Sequence, residues 1–402
     1  MTLTLLQYIM AHADYPFGPQ HLLITPVFSQ GTESRKRAQS SKMPATTNPL
    51  PRTQEAITVQ GPNTLRWSTN VAIPEITPDQ VLVQTKAVAL NPSDWKMINN
   101  ATVTPGPISG GDFSGIVIQR GSNIRGVEIG DRLFAYVFGT NPAHPSDGAF
   151  AEYVAAVPDL CFRMPPSMTF ETGASLGLGL MTVGLVFKSF GLRPFESPSP
   201  NPRVKPYVLI YGGSTATGTL AIQLFKHHGF LPVTTCSPRN FDLVRGLGAE
   251  AVFDYASPTC KEDIRAHTQG ELAYAMDAIA DSRATTICYG AIGEDGGQYT
   301  ALEAYPERLR ARRKKVKPDW ILCPTIFGEQ IDLAGSYQRV ALPEDREFAI
   351  RWALHCNVLL EAGKLQAHPI QVQPGGLQRI THDLGLLRKK QVSGKKLVYP
   401  LS

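Results

Sequence analysis

Cysteine is scarce in this chain and never closely spaced. Six thiols in 402 residues stand at positions 161, 236, 260, 288, 323 and 356. That spacing excludes a C-x-x-C redox pair, a zinc-ribbon knuckle and a dense disulfide framework. Isolated cysteines read as buried free thiols of a reducing compartment, so a cytoplasmic location is expected. No apolar run is expected to reach the roughly 20 residues of a transmembrane helix. A strong charge of one sign is missing too: 39 basic residues face 34 acidic ones, for a formal net charge of +5. A basic nucleic-acid surface interleaved with aromatics is therefore not expected. The one basic run, residues 308–317, reads as a solvated loop or helix face. The nine histidines are scattered, and none pairs locally with a cysteine and a carboxylate. No metal site is expected from them.

What is present describes a globular protein. Apolar residues make up 43% and charged residues 18%, enough for two or three domains with ample cores. Residues 1–42 have no clear period and end in a polar stretch. Residues 3–10 are too weakly apolar for a signal peptide. The first 50 residues are expected to be a disordered extension or a product of start-site choice, without function.

From residue 56, short alternating strands separated by turns suggest a β-barrel (81–90, 114–120, 132–138, 150–157). Residues 171–190 read as one long apolar helix, and 193–206 as a Pro/Ser-rich linker. The period then changes. Strands at 207–211, 231–236, 251–255, 273–280 and 287–292 alternate with helices at 217–228, 241–247, 259–268 and 281–286. That series is a doubly wound parallel sheet. Helices at 344–362 and 377–390 and a strand at 396–399 return the chain to the first domain. The fold class is α/β. The expected domains are 51–190 with 340–402, and 191–339.

The chemistry begins at Gly212-Gly213-Ser214-Thr215-Ala216-Thr217-Gly218. A buried strand runs into a helix N-terminus across a turn without bulky side chains. Backbone N–H groups there can approach a phosphate, and the helix dipole favours the anion. The stretch lacks the lysine of a triphosphate P-loop, so a dinucleotide is expected. An acidic residue ending the next strand would hold the ribose 2′-hydroxyl of NAD. Here Ser237, Pro238, Arg239 and Asn240 follow Cys236 instead. Arginine can pair with a 2′-phosphate through two N–H donors, which points to NADPH. Ser237 and Asn240 would fit a turn or a helix cap equally well.

The ordered motifs resemble the medium-chain dehydrogenase/reductase superfamily from about residue 56 to 400. Asn91-Pro92-Ser93-Asp94-Trp95-Lys96 is similar to the NP-x-D-x-K signature of its quinone- and enoyl-reductase branch. Gly110-Gly111-Asp112 stands where zinc alcohol dehydrogenases carry G-H-E, with Gly111 in place of the ligand histidine. Residues 246–255 and 392–398 resemble two further superfamily stretches. The resemblance implies a GroES-like β-barrel catalytic domain beside a Rossmann cofactor domain. Within the superfamily the chain most resembles fungal trans-acting enoyl reductases, on residues 212–218, 236–243, 253–255 and 324–329. These serve polyketide synthases and synthase–peptide-synthetase hybrids whose own reductase domain is inactive.

By that resemblance, Ser93, Asp94, Trp95, Lys96, Ser214, Thr215, Ala216, Thr217, Ser237, Pro238, Arg239, Asn240, Tyr255, Val392 and Ser393 line the NADPH site. Leu178, Gly179, Leu180, Met181 and Thr182, with Cys323, Pro324, Thr325, Ile326 and Phe327, border the substrate channel. The implied reaction adds hydride to the β-carbon of a carrier-bound α,β-unsaturated thioester and protonates the α-carbon. Lys96 and Thr182 are candidates for a catalytic role, and the proton donor stays open. Lys96 fits the pairing of a cofactor phosphate better. An acidic carrier protein would dock on basic residues near the channel mouth, 308–317 among them. A monomer is expected. The alternatives are a zinc-free quinone or alkenal reductase of free small molecules and a non-catalytic NADPH-binding protein.

Overall fold

The computed structural model describes residues 50–99, 105–195, 205–305 and 307–402. The expected N-terminal extension lies outside the described residues, as does most of the Pro/Ser-rich linker. Pro51–Ser402 forms one compact unit.

Alternating apolar residues in the first part build two sheets. Strands β1 (Thr53–Gly61) and β2 (Thr64–Ala72) pair as an antiparallel hairpin. The second sheet holds β3 (Val81–Ala89), β4 (Asp112–Arg120), β5 (Arg132–Tyr136), β6 (Tyr153–Ala156) and β7 (Phe162–Arg163). Residues 150–152 of the expected strand fall outside β6 and make only an isolated bridge, Ala56 to Ala151.

The third sheet is wholly parallel: β8 (Tyr207–Tyr211), β9 (Leu231–Cys236), β10 (Ala251–Asp254), β11 (Tyr274–Asp277), β12 (Gly297–Ala301) and β13 (Val316–Trp320). Its order is β10-β9-β8-β11-β12-β13. That is the doubly wound dinucleotide order, whose connections reverse direction between β8 and β11. Ligands of such sheets sit outside the strand C-termini at that reversal. Two last strands, β14 (Ile370–Val372) and β15 (Lys396–Pro400), close the second sheet, with β15 against β3. The chain thus returns to its first half.

Three expectations need correction. Residues 287–292 are not a strand. They belong to the helix Ser282–Ala291, and the strand comes later as β12. The Asp281 carboxylate accepts the Ala284 N–H at 2.9 Å and caps that helix. Its buried Ala284, Ile287, Cys288 and Ala291 recur at helical spacing, which a short apolar run conceals. Cys288 therefore sits in a helix.

The helix expected at 171–190 is two helices, Phe170–Ala174 and Gly177–Ser189. The Ser175 hydroxyl donates to the Thr172 carbonyl at 2.7 Å. Lys396 Nζ donates to the Ser175 carbonyl at 3.0 Å. These bonds satisfy backbone groups where the helix breaks. Contrary to expectation, Phe170–Ser189 is long and apolar enough to cross a membrane by length and composition, but 78% of its most apolar window is buried inside the protein. Its partner there is the Pro343–Glu361 helix. Trp352 is fully buried, and its indole N–H donates to the Leu180 carbonyl at 2.8 Å. A Cβ at Gly184 would stand 2.5 Å from the indole, so only glycine admits this packing.

The basic run is the third. Val316 and Lys317 open β13, and Arg313 turns inward. Its guanidinium donates to the carbonyls of Tyr289, Ile292 (2.8 Å) and Gly293 (2.6 Å) at the end of the Ser282–Ala291 helix. A cation there complements the helix dipole. The run lies at the N-terminal end of the parallel sheet, the end opposite the ligand loops, and none of its described residues borders the main cavity.

Candidate functional site

A cavity of about 400 Å³ lies over the C-termini of the parallel strands, walled on its other side by the second sheet. The loops after β8, β11, β12 and β13 contribute Ser214, Ile279, Glu303 and Leu322. This is the location that the strand order requires.

The glycine turn fits a phosphate. Gly212 has φ +86°, and a Cβ at Gly218 would stand 2.4 Å from the Gly212 carbonyl oxygen. Thr215 caps the helix Ala216–His227, accepting the Gly218 N–H at 2.9 Å. A helix leaves its first N–H groups without intrahelical partners. With that of Gly218 taken, those of Ala216 and Thr217 remain for an anion. Helix Gly177–Ser189 comes close beside this turn. A Cβ at Gly179 would meet Leu220 Cδ1 at 2.7 Å. That approach brings Leu178 and Thr182, one helical turn apart, to the cavity beside the turn.

The strand-end residues join the same place. Asn240 Nδ2 donates to Ser214 Oγ at 3.1 Å and to Ser393 Oγ at 3.5 Å. Ser237 and Tyr255 share a 3.0 Å hydrogen bond between hydroxyls. Arg239 and Pro238 are exposed. The turn, the ends of β9 and β10 and the loop before β15 thus form one polar rim, although residues 237–240 and 255 stand beside the cavity rather than in its wall.

Of the expected residues, Ser93, Lys96, Leu178, Thr182, Ser214, Thr215, Ala216, Thr217, Cys323, Pro324, Val392 and Ser393 line the cavity. Others do not. Asp94 is buried and accepts the Asn91 N–H at 2.7 Å, closing a capping box at the Pro92–Ile98 helix. Trp95 packs against the barrel core. Gly179 is the spacer between helices, while Leu180 and Met181 are core residues. Thr325 and Ile326 are buried, and the Phe327 ring lies 6.0 Å from that of Tyr136.

Lys96 lines the cavity already paired. Its ammonium meets the Glu303 carboxylate at 2.5 Å, and Tyr337 donates to the other oxygen of Glu303.

Beneath the cavity lies a buried polar network. The fully buried Asp112 accepts from Lys396 Nζ at 2.5 Å, Asn91 Nδ2 at 2.9 Å and the Leu178 N–H at 2.6 Å. Burial pushes the Asp94 carboxyl up to about 7, with the nearby Asp112 charge adding to the effect. His368 lines the cavity, and its Nδ1 lies 3.2 Å from Thr219 Oγ1. Burial and the Lys396 charge lower it to about 4, so it is neutral near pH 7.

Sequence reasoning missed several wall residues. Ile279 sits in a loop held by Asp277, which accepts the Ile279 and Ala280 N–H groups at 2.9 and 2.8 Å. Met97, Trp320, Leu333 and Tyr337 form an apolar arm of the cavity. Tyr136 was missed too. A Cβ at Gly111 would stand 2.8 Å from its Cε2, so a histidine at 111 requires the ring to move. A Gly-Gly pair just before β4 carries no local sign of contact with a tyrosine at the end of the neighbouring β5.

Comparison with known proteins decides the family. The alcohol dehydrogenase GroES-like domain model matches residues 77–166. Over 365 residues the chain is 47% identical to the trans-enoyl reductase caaB of Aspergillus niger, covering 89% of this chain and 100% of the relative. The chain belongs to the trans-enoyl reductase family. A second member, from Gibberella fujikuroi, is 46% identical over 353 residues, covering 87% and 99% of the two chains. Among solved structures, the quinone oxidoreductase from Coxiella burnetii aligns with a TM-score of 0.64 at 25% identity, over 87% of this chain and 99% of that one. This reductase has the medium-chain dehydrogenase/reductase fold, a GroES-like domain and a Rossmann sheet. It is an oxidoreductase acting on a C=C bond, and its family uses a nicotinamide cofactor.

Proposed function

We propose that this reductase uses NADPH to reduce the α,β-unsaturated thioester of a polyketide chain held on a carrier protein. The observation that carries the reading is one cavity joining a phosphate-sized helix N-terminus to an apolar arm. Its partner is a polyketide synthase or a synthase–peptide-synthetase hybrid in fungal secondary metabolism. We assign residues 51–190 and 340–402 to the catalytic domain, and 191–339 to the cofactor domain. Five of the six cysteines are buried free thiols, which suits a cytoplasmic enzyme.

Bound NADPH supplies the hydride that adds to the β-carbon. The N–H groups of Ala216 and Thr217 would hold the pyrophosphate at the helix N-terminus. Arg239, with Ser237, Asn240 and Tyr255, would hold the ribose 2′-phosphate. Leu178 and Ile279 exclude water from the reacting carbons, and the arm of Met97, Trp320 and Leu333 takes the acyl chain. Positioning the alkene in this way supplies proximity and orientation. The thioester is already conjugated, so hydride addition needs no metal at position 111.

The test is turnover by the purified protein with NADPH on three substrates: a carrier-bound enoyl chain, its N-acetylcysteamine thioester and a free quinone. Reduction of the carrier-bound chain is expected to dominate. Strong quinone reduction with none of the carrier-bound chain would replace this reading with the quinone reductase one, which the Coxiella structure favours. NADPH binding without turnover on any of the three would leave a non-catalytic binding protein.

A further inference from the structure

We propose that Tyr136 is the acid that protonates the α-carbon, an assignment that rests on the reductase reading above. Tyr136 ends β5, directly across from Asp112 in the register. It is buried except where it lines the cavity. Its ring lies against Gly111 and near Phe327, which fixes its direction. The hydroxyl has no hydrogen-bond partner among the described residues, nor is it one of the buried polar atoms sealed from all space. It therefore opens on the cavity, beside Leu178, Thr182 and Cys323.

Among the other ionisable side chains that line the cavity, Lys395 is exposed to solvent and the rest are engaged. Lys96 is paired with Glu303, and Lys396 with Asp112 and the Ser175 carbonyl. Thr182 hydrogen-bonds the Cys323 thiol and, as an alcohol, is a weaker acid than a phenol. The Nδ1 of His368 faces Thr219, and its ring is neutral. Burial pushes the Tyr136 phenol well above its ordinary value, with Cys323, Asp94 and Asp112 adding to the effect. The proton is thus retained until a strong base forms beside it.

That base is the enolate. Hydride adds to the β-carbon, and the alkene electrons move to give a thioester enolate. The electron pair at the α-carbon then takes the Tyr136 hydroxyl proton, so one C–H bond forms as one O–H bond breaks. Carbon in an enolate is a far stronger base than phenolate, so the transfer runs downhill. The phenolate regains its proton from water as product leaves. Hydride and proton together account for the saturated bond.

The experiment compares wild type with Tyr136→Phe, which keeps the ring on Gly111. NADPH affinity by fluorescence titration should agree within about twofold, showing that the site is intact. Loss of a positioned acid should lower kcat by about 100-fold or more. With an α-methyl enoyl thioester, wild type should give one configuration at the α-carbon. The variant, protonated by water, should give both. An unchanged rate with a single configuration in Tyr136→Phe would remove the assignment alone. Absence of wild-type turnover on every enoyl thioester, with NADPH bound, would remove the reductase reading and the assignment together.

Discussion

The ammonium of Lys96 sits on the carboxylate of Glu303, joining the Pro92–Ile98 helix to the loop after β12 across the cavity. The two side chains are 35% and 21% exposed, so solvent screens the pair only in part. To hold a cofactor phosphate, Lys96 must share or leave this partner. Glu303→Gln should therefore tighten NADPH binding several-fold, and Lys96→Ala should weaken it by about tenfold, equal to about 1.4 kcal/mol. Fluorescence titration at two salt concentrations reads both. Equal affinities in all three proteins would show that the pair holds only the walls together.

Arg239 is exposed and meets no carboxylate among the described residues, yet it stands beside the Asn240–Ser214 hydrogen bond at the rim. A guanidinium placed there matches a 2′-phosphate through charge and paired donors, and offers a bare 2′-hydroxyl at most a single weak hydrogen bond. Arg239→Ala should raise the Kd for NADPH by about 10- to 100-fold and leave that for NADH unchanged, the loss of a charge-assisted pair. Parallel losses for both nucleotides would place Arg239 in the turn's structure instead.

Much of this site is legible in the sequence where its chemistry is local. The glycine turn, its capping Thr215 and the Ser237–Asn240 strand end are contiguous stretches, and the strand order brings them together. Tyr136, Glu303, Ile279 and Trp320 each come from a separate strand end, and only the completed sheets place them on one cavity. Leu180 and Met181 show the converse. They share a helix with Leu178 and Thr182, but they point into the core because the helix turns about 100° per residue. The 287–292 error has the same root: five or six apolar residues fit a strand or one face of a helix, and Asp281 decides for the helix.

Asp94 carries the pH prediction. Its folded carboxyl sits at about 7, above the ordinary value of 3.8. The folded state then binds more protons than the unfolded state between about pH 4 and 7, so this group's contribution makes stability fall as pH rises through that window. Asp94→Asn keeps an oxygen to accept the Asn91 N–H and removes the charge. The difference in urea midpoint between variant and wild type should grow in the variant's favour from pH 5 to pH 8. A difference independent of pH would show that the carboxyl does not titrate there.

The outer edge of the parallel sheet is β13, whose sequence is Val316-Lys317-Pro318-Asp319-Trp320. An edge strand with free N–H and C=O groups invites pairing with a second chain. Pro318 sits in the middle of this edge, in register with Tyr299 on β12, and has no N–H to donate. Lys317 and Asp319 flank it and are exposed. Asp319 is also held inward by the Ser189 hydroxyl at 2.7 Å. A proline between two charges blocks continuation of the sheet across a two-fold axis, so we expect a monomer. Light scattering on a size-exclusion column should give the mass of one chain, 43.8 kDa. Replacing the block with Lys317→Thr, Pro318→Val and Asp319→Thr together should promote concentration-dependent dimers through this edge. A wild-type mass of two chains that persists on dilution would show that the edge is bridged despite Pro318, or that another surface does the pairing.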